Sequence, residues 1–470
     1  QWGPADIGGG RWHFALWAPD RQSVSLEIEG GATLPMEPAD DGWFCVETKA
    51  SEDSHYRFRL APDLAVPDPA SRRQAGGVHG WSVVTPISPP ATGWTGRPWE
   101  EAVIYELHVG LCGGFAGVAD RLPGLAAMGV TAIELMPVNA FGGSRNWGYD
   151  GVLPFAPAEA YGSPADLRAL IDAAHDLGGA VAVDRPPVAA FFCENALMWL
   201  NDYGFDGLRF DAVHAIGDDA FLDALAHDLR AATPGRHIHL MLENERNDAG
   251  RLGPRRYDAQ WNDDFHNVMH VLLTGERDAY YEDFAERPAH RLARCLMEGF
   301  IYQGDPSPHQ QGKLRGTPSA HLPPSTFIAF LQNHDQTGNR ALGERLIALT
   351  LLLLMPHIPL LFMGEEAGAT SPFLFFTDFH DELADAVREG RRREFKDFAA
   401  FASQDARARI PDPNARETFD MSRIVEGPDA AEWLRFYQAL LTLRHRAIVP
   451  GIAGAHALEA TVLTQSAVQA

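Results

Sequence analysis

Hydrophobic and polar residues alternate in short runs through the first 95 residues of the chain. The clearest runs are residues 12–17, 23–28, 43–46 and 55–60, and clusters of Gly, Pro and Asp separate them. A period of two is typical of half-buried β-strands, and turn residues at such intervals favour a small sandwich. Pro-rich stretches at residues 66–72 and 88–94 mark a linker. We therefore predict an N-terminal β-sandwich accessory domain over residues 1–95.

From residue 101 the pattern changes to apolar runs that alternate with stretches of helical periodicity, which is typical of parallel strands covered by helices. The predicted helices include residues 116–128, 164–177, 188–202, 218–232 and 343–355. The predicted strands are residues 103–109, 131–138, 180–184, 207–213, 237–243, 257–262, 327–335 and 358–365. Eight strand–helix units in roughly 300 residues fit an α/β fold of the (β/α)8 TIM barrel type. The alternative is an open doubly wound sheet, although no G-x-G-x-x-G follows the first strand.

The predicted barrel occupies residues 96–440. Residues 441–470 would begin a C-terminal β domain that is truncated or incompletely present in this sequence.

Three acidic residues stand at the ends of predicted strands: Asp211, Glu243 and Asp335. In a barrel, the C-terminal strand ends share one rim, so the three carboxyl groups would meet at one cleft. Glycoside hydrolysis needs such groups, a nucleophile and a proton donor on either side of the bond that breaks. From spacing alone, an ion-pair network that ties the barrel rim together explains the same residues equally well.

The neighbours of these acids refine the chemistry. Arg209 lies two residues before Asp211 on the same strand face, and an adjacent guanidinium favours an ionised carboxylate. Glu243 would need to keep its proton, and nearby carboxylates together with a bound sugar would raise its pKa. The other predicted strand ends are also polar, at His108, Asp184, Asn262, Asp263, Glu365 and Glu366.

Composition narrows the choice of ligand. Asp and Glu outnumber Lys and Arg by 63 to 39, for a formal net charge of -24, which disfavours nucleic acid and anionic membranes as partners. Four cysteines stand far apart without a CxxC pair, so neither a zinc site nor a disulfide framework is indicated. No signal peptide is visible, and the longest apolar run, residues 346–363, is interrupted by two prolines. We expect a cytoplasmic protein that binds a neutral ligand.

Three segments resemble the α-amylase superfamily of glycoside hydrolases. Gly207-Leu-Arg-Phe-Asp-Ala-Val-His214 resembles its nucleophile segment, Leu242-Glu-Asn244 its proton-donor segment, and Gln332-Asn-His-Asp335 its third-carboxylate segment. Within the superfamily, the chain is most similar to the maltooligosyltrehalose trehalohydrolases. This narrower resemblance rests on residues 104–110, 132–138 and 146–152, which branching enzymes share, and on the more specific residues 257–266, 302–308, 362–366 and 373–378.

The resemblance implies hydrolysis of the α-1,4 bond next to the terminal trehalose unit of maltooligosyltrehalose. It implies a retaining mechanism with Asp211 as nucleophile, Glu243 as acid/base and Asp335 as transition-state stabiliser. No metal and no organic cofactor is implied. A maltooligosyltrehalose synthase would be the pathway partner, and the enzyme itself would be a monomer or homodimer. The implied sugar-binding residues are Tyr149, Arg209, Phe210, Ala212, Val213, His214, Asn262, Asp263, Asp264, Phe265, His266, His334, Gln336, Thr337, Gly338 and Asn339.

Three connections depart from the family pattern. Asp184 is followed at once by Arg185-Pro-Pro-Val188, without the Asn-His pair and long loop of the family. The connection at residues 111–114 is short, and the tail at residues 451–470 is brief for a C-terminal sandwich. We interpret these as places where the protein has further residues. Two other functions fit the same residues: a glucan branching or debranching enzyme, and a carbohydrate-binding pseudoenzyme.

Overall fold

The first ten strands form two antiparallel sheets whose inner faces pack on each other. The computed structural model describes residues 2–31, 33–86, 93–185, 189–346, 350–457, 459–464 and 467–469. One sheet has the order β1-β2-β6-β5 and the other β4-β3-β7-β10-β9, with β8 beside β7. Phe14 and Phe44 of the first sheet meet Leu26 and Phe58 of the second in one apolar cluster. The strands are β1 Ala5–Gly8, β2 Arg11–Trp17, β3 Ser25–Ile28, β4 Thr33–Pro35, β5 Glu37–Pro38, β6 Trp43–Lys49, β7 His55–Ala61, β8 Leu64–Val66, β9 Gln74–Ala75 and β10 Trp81–Val83.

The later strands include a closed parallel barrel. Their bounds are β11 Ile104–Leu107, β12 Ala132–Leu135, β13 Asn139–Phe141, β14 Gly151–Pro157, β15 Ala180–Arg185, β16 Gly207–Phe210, β17 His239–Leu242, β18 Ala259–Trp261, β19 Asp305–Ser307, β20 Lys313–Arg315, β21 Phe327–Phe330, β22 Ile358–Phe362, β23 Thr461–Thr464 and β24 Ala467–Gln469. The barrel order is β11-β12-β15-β16-β17-β18-β21-β22, and Ile104 of β11 pairs with Leu360 of β22. That closing pair confirms the predicted barrel and rules out the open sheet.

Helices follow most of the barrel strands, but only a 3-10 turn at Ala249–Arg251 stands between β17 and β18. Their bounds are α1 Gly114–Ala119, α2 Leu122–Met128, α3 Pro164–Asp176, α4 Ala189–Leu197, α5 Asp219–Ala232, α6 Asp263–Thr274, α7 Glu282–Ala285, α8 Pro288–Glu298, α9 His334–Gly338, α10 Thr350–Leu354, α11 Asp381–Glu394, α12 Gln404–Ala408, α13 Arg416–Met421, α14 Ala430–Leu443 and α15 Val449–Ile452. π-helical turns extend α4 over Met198–Tyr203 and α14 over Arg444–Ile448. Within the described part of the chain, no helix is long and apolar enough to cross a membrane.

Two predicted helices have different bounds in the structure. Residues 116–128 form two helices rather than one, because Pro123 suits only the first turn of a helix and so starts α2 afresh. The helix predicted at residues 343–355 is present only as α10, since residues 343–346 are not helical and residues 347–349 lie outside the described residues. Residue 188, the first of another predicted helix, also lies outside them.

The end of the seventh strand was also predicted wrongly. The strand predicted at residues 327–335 ends at Phe330, and Asp335 lies on α9. The side chain of Asn333 accepts a hydrogen bond from the backbone N–H of Gln336, and this N-cap begins the helix. Asp211 and Glu243, which were predicted to belong to their strands, follow directly after β16 and β17.

The interior of the barrel is apolar toward the N-terminal ends of the strands and charged toward their C-terminal ends. Side chains two residues apart on a strand share a face. Ile104, Met241 and Ile328 belong to one buried apolar cluster inside the barrel. Two residues beyond Ile104 and Met241 stand Glu106 and Glu243, so the inward-facing positions turn acidic toward the C-terminal rim.

Candidate active site

A single buried guanidinium joins two of the three carboxylates. Arg209 has no exposed side-chain area, and its Nη1 donates to Asp211 Oδ1 at 2.7 Å. Its Nη2 lies 3.9 Å from Asp335 Oδ2. The guanidinium also packs over the ring of Trp261, 4.1 Å from the centroid. The predicted pairing of Arg209 and Asp211 on one strand face is confirmed.

Glu243 lies beside Asp211 because of the register of β16 and β17. Phe210 pairs with Leu242 in the sheet, and the next residue on each strand carries the carboxyl group. The backbone N–H of Ala212 donates to Glu243 Oε2 at 2.5 Å. Ala212 has φ 44°, a left-handed conformation that costs energy in a residue with a side chain. This strained turn therefore aims an amide directly at the Glu243 carboxyl group.

The pKa of Glu243 is raised above its ordinary value. Burial is the largest cause, and the negative charges of Asp211 and Asp335 add to it. Arg209 and the Ala212 amide act in the opposite direction without cancelling the effect. The direction is the one expected from the sequence, and it favours a protonated Glu243 at a higher pH than an exposed Glu would allow.

Asp335 and His334 form the other half of the centre. Nε2 of His334 lies 3.3 Å from Asp335 Oδ2 and 2.6 Å from the hydroxyl of Tyr149. Burial would raise the pKa of Asp335, but the charges of His334 and Arg209, with hydrogen bonds from His334 and Asn339, lower it to about 2. Asp335 is therefore a carboxylate throughout the neutral range.

A fourth carboxyl group borders the cleft. Asp263 Oδ1 accepts a hydrogen bond from Gln336 Nε2 at 2.9 Å. Burial, together with the charges of Glu243 and Asp335, raises the pKa of Asp263 to about 7. Asp263 thus adds to the acidic character of the cleft floor next to Glu243.

The cleft itself has a volume of about 850 Å³. The motifs in the sequence pointed to only some of the residues that line it. Its lining also includes residues that no motif had pointed to: Glu245, Asn267, Ala279, Tyr280, Asp283, Phe284, His309, Gln310, Arg315, Glu394, Phe395 and Phe398. These come from segments distant in sequence, where neither periodicity nor spacing distinguishes a cleft wall from an ordinary loop or helix end.

The hairpin of β19 and β20 carries part of that wall. Arg315 Nη2 lies 2.9 Å from Asp264 Oδ1, and its Nε donates to the backbone oxygen of Glu245. Asp283 accepts from the hydroxyl of Ser307 at 2.6 Å. Buried contacts of this kind fix His309 and Gln310, at the tip of the hairpin, against the cleft.

The predicted sugar-binding residues divide into two groups. Tyr149, Arg209, Asp263, His334, Gln336 and Asn339 surround the carboxylates or line the cleft, and His214 lies at its edge beside Glu245. Ala212 contributes its backbone amide, as described above. The other predicted residues are buried, with their side chains in contact with protein: Phe210, Val213, Asn262, Asp264, Phe265, His266, Thr337 and Gly338.

Particular contacts show what the buried group does. Asn262 donates to the backbone oxygen of Gly299 at 3.0 Å, and Nδ1 of His266 lies 2.8 Å from the backbone oxygen of Leu331. At Gly338, a Cβ atom would stand 2.3 Å from the ring of Trp147. These residues support the elements that carry the site.

Glu365, at another polar strand end, lies away from the cleft. Glu365 accepts from the hydroxyl of Tyr437 at 3.0 Å and from the backbone N–H of Phe362 at 2.9 Å. Burial raises the pKa of Glu365 to about 8. Of Asp184, only the backbone in β15 is described. Among the described residues, no group of three or more His, Cys, Asp or Glu side chains is arranged to hold a metal ion.

The closed parallel barrel and the acidic C-terminal rim define a glycoside hydrolase of the α-amylase superfamily. The crystal structure of a candidate alpha amylase from Salmonella typhimurium superposes on this chain with a TM-score of 0.92. It is 42% identical and covers 98% of this chain and 89% of that one. No model of a known protein family matches the chain.

Named relatives show to which family of glycoside hydrolases the chain belongs. The malto-oligosyltrehalose trehalohydrolase of Rhizobium sp. (strain M-11) is 36% identical over 93% of this chain and 85% of its own length. The enzyme of the same name from Deinococcus radiodurans is 36% identical over 93% of this chain and 81% of its own length. The chain belongs to the malto-oligosyltrehalose trehalohydrolase family, which confirms the resemblance found in the sequence.

The relatives also bear on the three short connections. The alignment with the Rhizobium protein runs over 518 residues, more than the 470 of this chain, so that relative has residues at positions where this chain has none. Residues 186–188, in the first of the short connections, lie outside the described residues. That the protein holds further residues at these connections stays a prediction.

Proposed function

We propose that the chain hydrolyses the α-1,4-glucosidic bond next to the terminal trehalose unit of maltooligosyltrehalose and releases trehalose. Its membership of the trehalohydrolase family supports the substrate. The observation that carries the chemistry is the buried Arg209, which holds Asp211 at 2.7 Å and faces Asp335 at 3.9 Å, with Glu243 on the adjacent strand. Residues 96–440 would form the catalytic domain, and residues 1–95 the accessory domain.

The roles of the three acids follow from their surroundings. Asp211, paired with Arg209, attacks the anomeric carbon and forms a covalent glycosyl-enzyme. Glu243, whose raised pKa retains its proton, donates that proton to the oxygen of the departing trehalose. Asp335 is charged at neutral pH and stabilises the positive charge that develops on the sugar ring.

The second half of the reaction reverses the part played by Glu243. Once it has given up its proton, Glu243 is a carboxylate that accepts a proton from water as that water attacks the glycosyl-enzyme. Retention requires carboxyl groups about 5–5.5 Å apart. Asp211 and Glu243 follow register-paired residues of adjacent strands, so they stand on neighbouring strand ends, and the closer spacing of a retaining enzyme is the one we propose.

The wider setting of the reaction is also part of the proposal. Aromatic side chains on the cleft wall, Tyr280 and Phe398, suit the apolar faces of sugar rings. The formal charge of -24 is compatible with a neutral oligosaccharide. A maltooligosyltrehalose synthase would supply the substrate, in the cytoplasm, without needing to contact this enzyme, which would act as a monomer or homodimer.

Product analysis tests the proposal. The purified chain, incubated with maltotriosyltrehalose, is expected to release trehalose and maltotriose in equal amounts. Maltopentaose, which lacks the α,α-1,1 linkage, is the matched control and is expected to react far more slowly. New α-1,6 branch points would instead indicate a branching enzyme, and binding without turnover would indicate a carbohydrate-binding pseudoenzyme.

A further inference from the structure

Glu106 contacts the active-site histidine although it takes no part in the proposed reaction. It lies on β11, and its side chain has 2% of its area exposed. Its Oε1 contacts Nδ1 of His334, and its Oε2 accepts from the backbone N–H of the same residue at 3.0 Å. One carboxyl group therefore holds both the ring and the backbone of His334.

The two ring nitrogens of His334 each face a carboxyl oxygen. Nδ1 meets Glu106, while Nε2 lies 3.3 Å from Asp335 Oδ2. A neutral imidazole with its N–H on Glu106 would accept the Tyr149 O–H at Nε2 but would also turn that lone pair toward Asp335. The imidazolium instead donates at both nitrogens, to Glu106 on one side and toward Tyr149 and Asp335 on the other.

The remaining neighbours agree with a positive ring. Tyr149 stacks on His334 at 5.0 Å between centroids, and the rings of Trp147 and Trp261 lie at 5.2 Å and 5.8 Å. Aromatic rings around a cation stabilise it when water is excluded. Arg209 donates to the Tyr149 hydroxyl at 3.4 Å, so that oxygen already accepts one hydrogen bond and can accept a second from Nε2.

We propose that Glu106 is a positioning residue that holds His334 as a permanent imidazolium, and that His334 thereby serves with Arg209 as a second fixed cation for Asp335. The charged and titratable groups around the ring are Glu106 from β11, Asp335 from α9, Arg209 from β16 and the hydroxyl of Tyr149. His108, on the same side of the barrel, adds no charge, because burial lowers its pKa to about 4. The two carboxylates outweigh the single guanidinium.

The electrostatics of the ring support this assignment. Burial alone would lower the pKa of His334, but the charges of Asp335 and Glu106 and their hydrogen bonds raise it well above its ordinary value. The consequence for catalysis rests on the proposed function: Asp335 would keep its charge, and Tyr149 its orientation, across the working pH range.

Nuclear magnetic resonance of the free enzyme tests the proposal. With ¹⁵N-labelled histidine, and with His334→Asn to assign the signal, both ring nitrogens of His334 are expected to carry protons at pH 8. An ordinary histidine, with a pKa of about 6.5, is neutral there. In Glu106→Gln the side chain keeps its shape but loses its charge, so His334 is expected to be neutral at pH 8.

Glu365→Gln is the control, because it replaces another buried carboxyl group at a strand end without touching His334. It is expected to leave the His334 signal unchanged. A neutral His334 in the wild-type enzyme at pH 8 would overturn the proposal. An imidazolium that persists in Glu106→Gln would also overturn it. Since no substrate is present, an enzyme that shows the imidazolium but releases no trehalose would refute the proposed function alone.

Discussion

Glu243→Gln is expected to lower kcat for trehalose release by about 10²–10⁴-fold, the usual contribution of a general acid. Glutamine fills the same space and can still accept from the Ala212 amide, so the fold of the rim should be retained. What it lacks is the proton that burial and the neighbouring carboxylates keep on Glu243. Steady-state kinetics with maltotriosyltrehalose measure the effect.

The loss of activity in Glu243→Gln should depend on the leaving group of the substrate. With α-maltosyl fluoride, whose fluoride leaves without protonation, Glu243→Gln is expected to form the glycosyl-enzyme readily. Azide, which needs no general base, should then displace Asp211 and give an α-glycosyl azide. Glu282→Gln, an exposed change on α7, is the control and should behave as wild type. Equal losses on both substrates would contradict the acid role of Glu243.

Asp211→Asn is expected to reduce hydrolysis by about 10⁴-fold or more, because no covalent intermediate can form. The loss should be similar for maltotriosyltrehalose and α-maltosyl fluoride, since a better leaving group does not replace a nucleophile. Arg209 would keep its contact with Asp335 but lose a charged partner 2.7 Å away. Some destabilisation is therefore expected as well, and thermal unfolding should accompany the kinetics.

Azide separates the role of Asp211 from that of Glu243. In Asp211→Ala, whose small side chain leaves open the space that Asn would fill, azide can occupy the place of the missing carboxylate and displace fluoride directly, which yields a β-glycosyl azide. Asp228→Asn, on the exposed face of α5, is the control. An α-glycosyl azide from Asp211→Ala would show that another residue is the nucleophile.

The barrel was predictable because its strands are buried on both faces and so read as continuous apolar runs. Asp211 and Glu243 were assigned to the C-terminal parts of their strands, and each lies one residue beyond the end of β16 or β17. Asp335 was assigned to a strand because the apolar run continues to Leu331, and the capping side chain of Asn333 was overlooked.

The parts of the site that were missed depend on long-range contacts. Phe395 and Phe398 reach the cleft from beyond α11, and Arg315 reaches it from the β19–β20 hairpin. No local pattern encodes those approaches. The sequence does carry one indication of Glu106. It is a carboxyl group within a buried strand, two residues from Ile104 on the inward face, where an apolar residue is expected.

The stereochemistry of the first product tests the central claim most directly. Proton NMR of the wild-type enzyme acting on maltotriosyltrehalose, recorded before the sugar anomers equilibrate, distinguishes the two mechanisms at the new reducing end. Nucleophilic attack by Asp211, followed by water activated by Glu243, predicts free trehalose together with maltotriose formed first as the α anomer. Maltotriose formed first as the β anomer, or the absence of free trehalose, would contradict the account.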